Sequence, residues 1–99
     1  MMDASVAIQV LPKVLEQEET RRIVDEVIAY IASTGLHYVV GPFETTLEGE
    51  LDALMDIVKE CQRICIRAGA PSVMSYVKIS YKPGGVWTID DKTAKYQKS

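Results

Sequence analysis

Tyr38-Val39-Val40-Gly41-Pro42-Phe43-Glu44-Thr45-Thr46-Leu47-Glu48-Gly49-Glu50 decides how this chain folds. A short β-branched run meets Gly41-Pro42, a pair that reverses the chain, and Phe43 to Glu48 returns as a second strand. The segment is also dense in polarity. It sets two hydroxyls and several carboxylates beside an aromatic ring, between two otherwise apolar stretches, which marks it as a candidate ligand site.

The flanks of this hairpin are helical. From Glu18 to Ser33, Ile23, Val24, Val27, Ile28 and Ile31 recur at spacings of three and four, with Arg21, Arg22, Asp25 and Glu26 on the other side. Thr34-Gly35 closes that helix. After the hairpin, Leu51, Leu54, Met55, Val58, Cys61 and Cys65 form a second apolar stripe that ends before Gly69-Ala70-Pro71.

The outer segments are extended. Val6, Ile8 and Val10 alternate with Ser5, Ala7 and Gln9 before Pro12. In Ser72 to Lys82, Val73, Val77 and Ile79 oppose Met74, Tyr76 and Lys78. Gly84-Gly85 ends this strand, and Trp87 to Ser99 reads as an edge segment followed by a short polar helix or a loose tail.

The order β-α-β-β-α-β predicts an α+β, ferredoxin-like sandwich, with two helices on one face of a four-stranded antiparallel sheet. The other face is predicted bare, carrying Ser5, Ala7, Gln9, Thr46, Glu48, Tyr76 and Lys78. With 99 residues, the chain is expected to form one domain spanning 1–99. A core this small favours self-association through the bare face.

Composition excludes several function classes. A net charge of −3, without basic clusters, argues against a nucleic-acid partner. No apolar run is long enough to span a bilayer and no signal peptide is evident, so a cytoplasmic location is expected. Cys61 and Cys65 share one helix face, a geometry poor for a disulfide, and are read as buried apolar residues. His37 stands far from them, and no metal-site spacing is present. No catalytic triad or glycine-rich phosphate loop is present either, which favours a binding protein over an enzyme, with no cofactor implied. An acylphosphatase-like reading lacks its arginine near the first strand, and an RNA-recognition reading lacks a basic third strand.

Ala4 to Pro12, the central motif from Tyr38 to Glu50, and Ser75-Tyr76-Val77-Lys78-Ile79 resemble the small thiamine-binding, ferredoxin-like proteins once catalogued as a domain of unknown function. The resemblance spans nearly the whole chain, and its distinctive part is V-G-P-x-x-T-x-x-E-G-E. It implies non-enzymatic binding of thiamine or its hydroxymethyl-pyrimidine part, in dimers that pair into tetramers, with the pocket near subunit contacts. Carried over to this sequence, it places Thr45, Thr46 and Glu48 at the ligand, with Gly41 and Gly49 giving the backbone access.

Glu48 would accept from the exocyclic amine or, if kept protonated, donate to a ring nitrogen. Tyr38, Phe43, Tyr76 and Trp87 are candidates for cation–π contact with the thiazolium, each with plain packing as its competitor. Two rivals stand beside this reading. Thr45 and Glu48 have capping-box spacing and are accounted for equally by a helix start. A self-associating structural or regulatory module without a small-molecule ligand is the other.

Overall fold

In the computed structural model, which describes residues 2–93, the elements follow the predicted order. They are β1 (Ala4–Pro12), α1 (Gln17–Ser33), β2 (Tyr38–Val40), β3 (Thr45–Gly49), α2 (Leu51–Arg67), β4 (Val73–Tyr81) and a short α3 (Ile89–Thr93). The sheet runs β2-β3-β1-β4, with every neighbouring pair antiparallel. This is the ferredoxin-like α+β sandwich.

Register sorts the side chains into two faces. Val6 sits between Leu47 and Ile79, and Ile8 between Thr45 and Val77, so these residues share the face under the helices. Ser5, Ala7, Gln9, Thr46, Glu48, Tyr76 and Lys78 fall on the opposite, open face, as the alternation predicts. The core joins Ala4, Val6, Ile8 and Leu47 to Ile23, Val27 and Ile31 of α1, and to Leu54, Ile57, Cys61 and Cys65 of α2. Each helix lays its i, i+4 row on the sheet.

Helix ends are determined locally. At the end of α1, the Thr34 hydroxyl donates to the Ile31 carbonyl at 2.7 Å and Gly35 turns left-handed at φ 78°. At the end of α2, Gly69 adopts φ 115° while its N–H meets Ile66 O and that of Ala70 meets Cys65 O. These are the two bonds of a Schellman closure, and buried Ala70 supplies its apolar contact. Arg22 then ties the helices together by donating to Ala68 O at 2.7 Å.

Three points differ from the sequence reading. The third strand begins at Thr45 rather than Phe43, because Gly41 N–H bonds Glu44 O at 2.8 Å and draws Pro42, Phe43 and Glu44 into the turn. The hairpin was also expected at the sheet edge, as a lead-in to the second helix, but only β2 is an edge strand, since β3 lies between β2 and β1. Trp87 is not in an edge strand: Val86 to Thr88 is irregular and leads into α3, and the part of that expectation covering 94–99 lies outside the described residues.

Burial makes the two thiols inert. It pushes Cys61 from the usual 9.0 up to about 12, and raises Cys65 as well. A thiol reagent at pH 8 is expected to spare both in the native protein and to label both once denaturant unfolds it; fast native labelling would contradict this burial. A thiol whose pKa rises on folding contributes stability that is complete below its unfolded pKa. That contribution is lost as pH climbs from about 9 towards 12.

Candidate functional site

A cleft of about 240 Å³ opens between α1 and the β2–β3 hairpin. Ile8, Val10 and Val40 line the sheet side, Val24, Val27, Ile28 and Ile31 the helix side, and Gly41 to Thr45 the rim. Helix α1 is apolar over two adjacent rows. Ile23, Val27 and Ile31 are buried in the core, while Val24 and Ile28 are only partly buried and stand at the opening. Sequence reasoning read that broad stripe only as core. Its excess width was the available signal for a cleft wall.

Thr45 is the polar side chain that alternation aims into this space, because it lies between Ile8 and Val40 on the helix face. Only 7% of it is exposed. Its hydroxyl has no hydrogen-bond partner among the described residues, yet it is not sealed from the cleft. A hydroxyl donates once and accepts through two lone pairs, so a guest that offers it a partner removes the cost of leaving it bare. Glu44 borders the cleft but directs its carboxylate to the open face, where Lys78 Nζ lies 3.1 Å away.

The predicted site residues therefore divide. Gly41, Phe43 and Thr45 meet at the cleft, with Phe43 largely exposed on its lip. Thr46, the next residue in the strand, must point to the open face. Tyr38 opposes Leu47 and packs on the core. Gly49 serves packing, since a Cβ there would stand 3.3 Å from Leu36 Cδ1.

Glu48 is on the open face and yet only 7% exposed. The C-terminal segment crosses above it, so that Ile89 N–H donates to Glu48 Oε2 at 2.8 Å, with His37 Nε2 3.9 Å from the other oxygen. The carboxylate thus anchors the strap Val86–Ile89 to β3. The capping reading also fails on position, because Thr45 and Glu48 both lie within β3. The first turn of α2 is capped from a distance, by Asp3 Oδ1 accepting from Leu51 N–H at 3.0 Å.

The chain as a whole is similar to known proteins. The family profile described as thiamine-binding protein matches residues 6–97. The chain belongs to the thiamine-binding protein family. A UPF0045 protein of Clostridium perfringens is 52% identical over 97 residues, covering 98% of this chain and all of that one. A solved domain of unknown function, DUF77, from Bacillus cereus is 40% identical with a TM-score of 0.86, over 98% of this chain and 93% of its own. A Thermotoga maritima structure provisionally assigned to thiamine biosynthesis/salvage is 39% identical with the same TM-score of 0.86, over 96% of this chain and 99% of its own. Among the described residues of this family member, no cluster of His, Cys, Asp and Glu is arranged to hold a metal, and no helix is long and apolar enough to cross a membrane.

Proposed function

We propose that this protein binds thiamine, or its hydroxymethyl-pyrimidine part, in the cleft between α1 and the hairpin, without chemically altering it. The Thr45 hydroxyl, open to an apolar slot on a largely buried residue and without a hydrogen-bond partner among the described residues, carries the reading. Pockets for drug-sized ligands run to roughly 300–1,000 Å³. At about 240 Å³ this one suits a single substituted ring, so the aminopyrimidine enters and the thiazolium stays at the mouth.

The Thr45 hydroxyl accepts from the exocyclic amine or donates to a ring nitrogen. Phe43, exposed on the lip, offers its face to the thiazolium cation, a contact worth roughly 0.5–2 kcal/mol. The cleft holds a hydroxyl but no acid–base pair among its described side chains, which supports binding over turnover. The family membership and the Thermotoga maritima relative support thiamine as the ligand class. We place the binding in the cytoplasm, in a dimer or tetramer with the cleft near a subunit contact, serving salvage, buffering or sensing. The half-exposed Met74 and Tyr76 on the open face favour self-association in either case, and on their own they suit the rival reading of a ligand-free interaction module.

Thermal denaturation tests this. Saturating thiamine or hydroxymethyl-pyrimidine is expected to raise the melting temperature, since 100 Kd of ligand adds about 2.7 kcal/mol to the folded state. Thr45→Val keeps the shape and loses the hydroxyl. It is expected to melt as the wild type does without ligand, and to bind roughly 5–150-fold more weakly, the cost of an unpaired buried polar group. A wild type indifferent to both compounds would overturn the proposal.

A further inference from the structure

We infer that Glu44 and Lys78 tune the cleft to the charge of its guest: the Glu44 carboxylate favours a cationic ring system, and Lys78 competes with that cation for it. The inference deepens the binding reading above by assigning charge selectivity to the same cleft, and it rests on that reading for the cleft being occupied at all.

Charge is scarce at the opening. Glu44 alone carries one among the described residues that line the cleft. It stands between Phe43, exposed on the lip, and Thr45, whose hydroxyl opens on the slot. A cation resting at the mouth therefore has this carboxylate, and no other charge of the described lining, to answer it.

That carboxylate is already partly answered. Alternation sets Glu44 on the same open face as Thr46 and Glu48, and there Lys78 Nζ lies 3.1 Å from its Oε1. Register explains how a residue of β4 reaches the hairpin. Ala7 of β1 stands directly between Thr46 and Lys78. Its methyl group leaves room for the lysine stem to lie across β1 towards Glu44, two positions before Thr46.

The pair is suited to exchanging partners. The side chains of Lys78 and Glu44 are 74% and 35% exposed, and neither has another ion-pair partner among the described residues. An ion pair so open to water contributes little, because holding two long side chains in one geometry offsets much of the attraction. An organic cation beside Phe43 is drawn by the ring face as well as by the carboxylate, so it can displace Lys78. A neutral ring gains nothing from that exchange. Discrimination between guests of similar shape then comes from charge at the rim, while Thr45 reads the ring inside the slot.

Isothermal titration at pH 8 compares thiamine, a cation, with hydroxymethyl-pyrimidine, which is neutral there. Lys78→Met keeps the stem and removes the charge. It is expected to raise the ratio of thiamine to pyrimidine affinity about two- to fivefold at low ionic strength, the scale of one exposed ion pair. High salt is expected to erase the gain. Glu44→Gln is expected to lower the same ratio by a similar factor. Adding Lys78→Met to Glu44→Gln should then change the ratio less than it does alone, because nothing holds Lys78 at the rim. Both sites are open enough that the variants should melt, without ligand, within about 4 °C of the wild type. An unchanged ratio in every variant would overturn the inference. So would a Lys78→Met that binds both compounds more weakly to the same degree, since the pair would then be only a brace for the hairpin; the cleft reading survives either result. A wild type that binds neither compound removes the cleft reading and this inference together.

Discussion

Leu54→Ala is expected to lower the melting temperature by about 12–24 °C. Leu54 belongs to α2, is 1% exposed, and fills the space above Gly49, where a Cβ would stand 3.7 Å from Leu54 Cδ2. Truncating a buried leucine costs the transfer free energy of the lost carbons and the cavity left behind, together roughly 3 kcal/mol for a site that relaxes partly. In a domain of this size each kcal/mol moves the midpoint by about 4–8 °C. Leu54 also belongs to the main core cluster with Leu47, Ile57 and Cys61, so the hole would open inside that core. Differential scanning calorimetry decides it, and a loss under about 5 °C would mean that the core between α2 and β3 is looser than described.

The second large effect is expected at Gly41. A Cβ built there would stand 3.0 Å from Glu44 O, the same carbonyl that accepts the Gly41 N–H at 2.8 Å. A backbone oxygen in a closed turn has no rotamer in which to retreat. Gly41→Ala must therefore spread the hairpin, at about 1–3 kcal/mol for the strain. The turn is also the cleft rim, so ligand affinity should fall at least about tenfold along with stability. That pattern separates it from Thr45→Val, which should lose affinity alone. Isothermal titration beside thermal melts reads the difference; full stability and full affinity in Gly41→Ala would show that the rim moves freely.

Most of the fold was legible because periodicity and punctuation agreed at each boundary. The rows of Ile23, Val27 and Ile31 and of Leu54, Cys61 and Cys65 announce helices, and Gly35 and Gly69 close them. The candidate site was legible only in part. Thr45, Thr46 and Glu48 look like one constellation in one dimension, but adjacent strand residues face opposite ways. Thr45 therefore reaches the cleft while Thr46 and Glu48 face away from it.

The contacts of Glu48 and Asp3 had no local signal. Each depends on a partner more than 40 positions away, Ile89 for one and Leu51 for the other. The cleft walls from α1 were present in the pattern as an apolar stripe wider than a core face requires. Only the placement of the hairpin beside that stripe turns the surplus into a cavity.

The strap carries a practical consequence for anyone measuring binding by light. Trp87 is the sole tryptophan of the chain, and it sits two residues before the amide that Glu48 holds, at the far end of β3 from the cleft and over the opposite face of the sheet. Its emission is a gauge of strap docking. A guest entering beside Thr45 has no direct path to quench it, so a flat fluorescence titration says nothing against binding. A change in emission on adding ligand would report that filling one side of β3 is felt on the other.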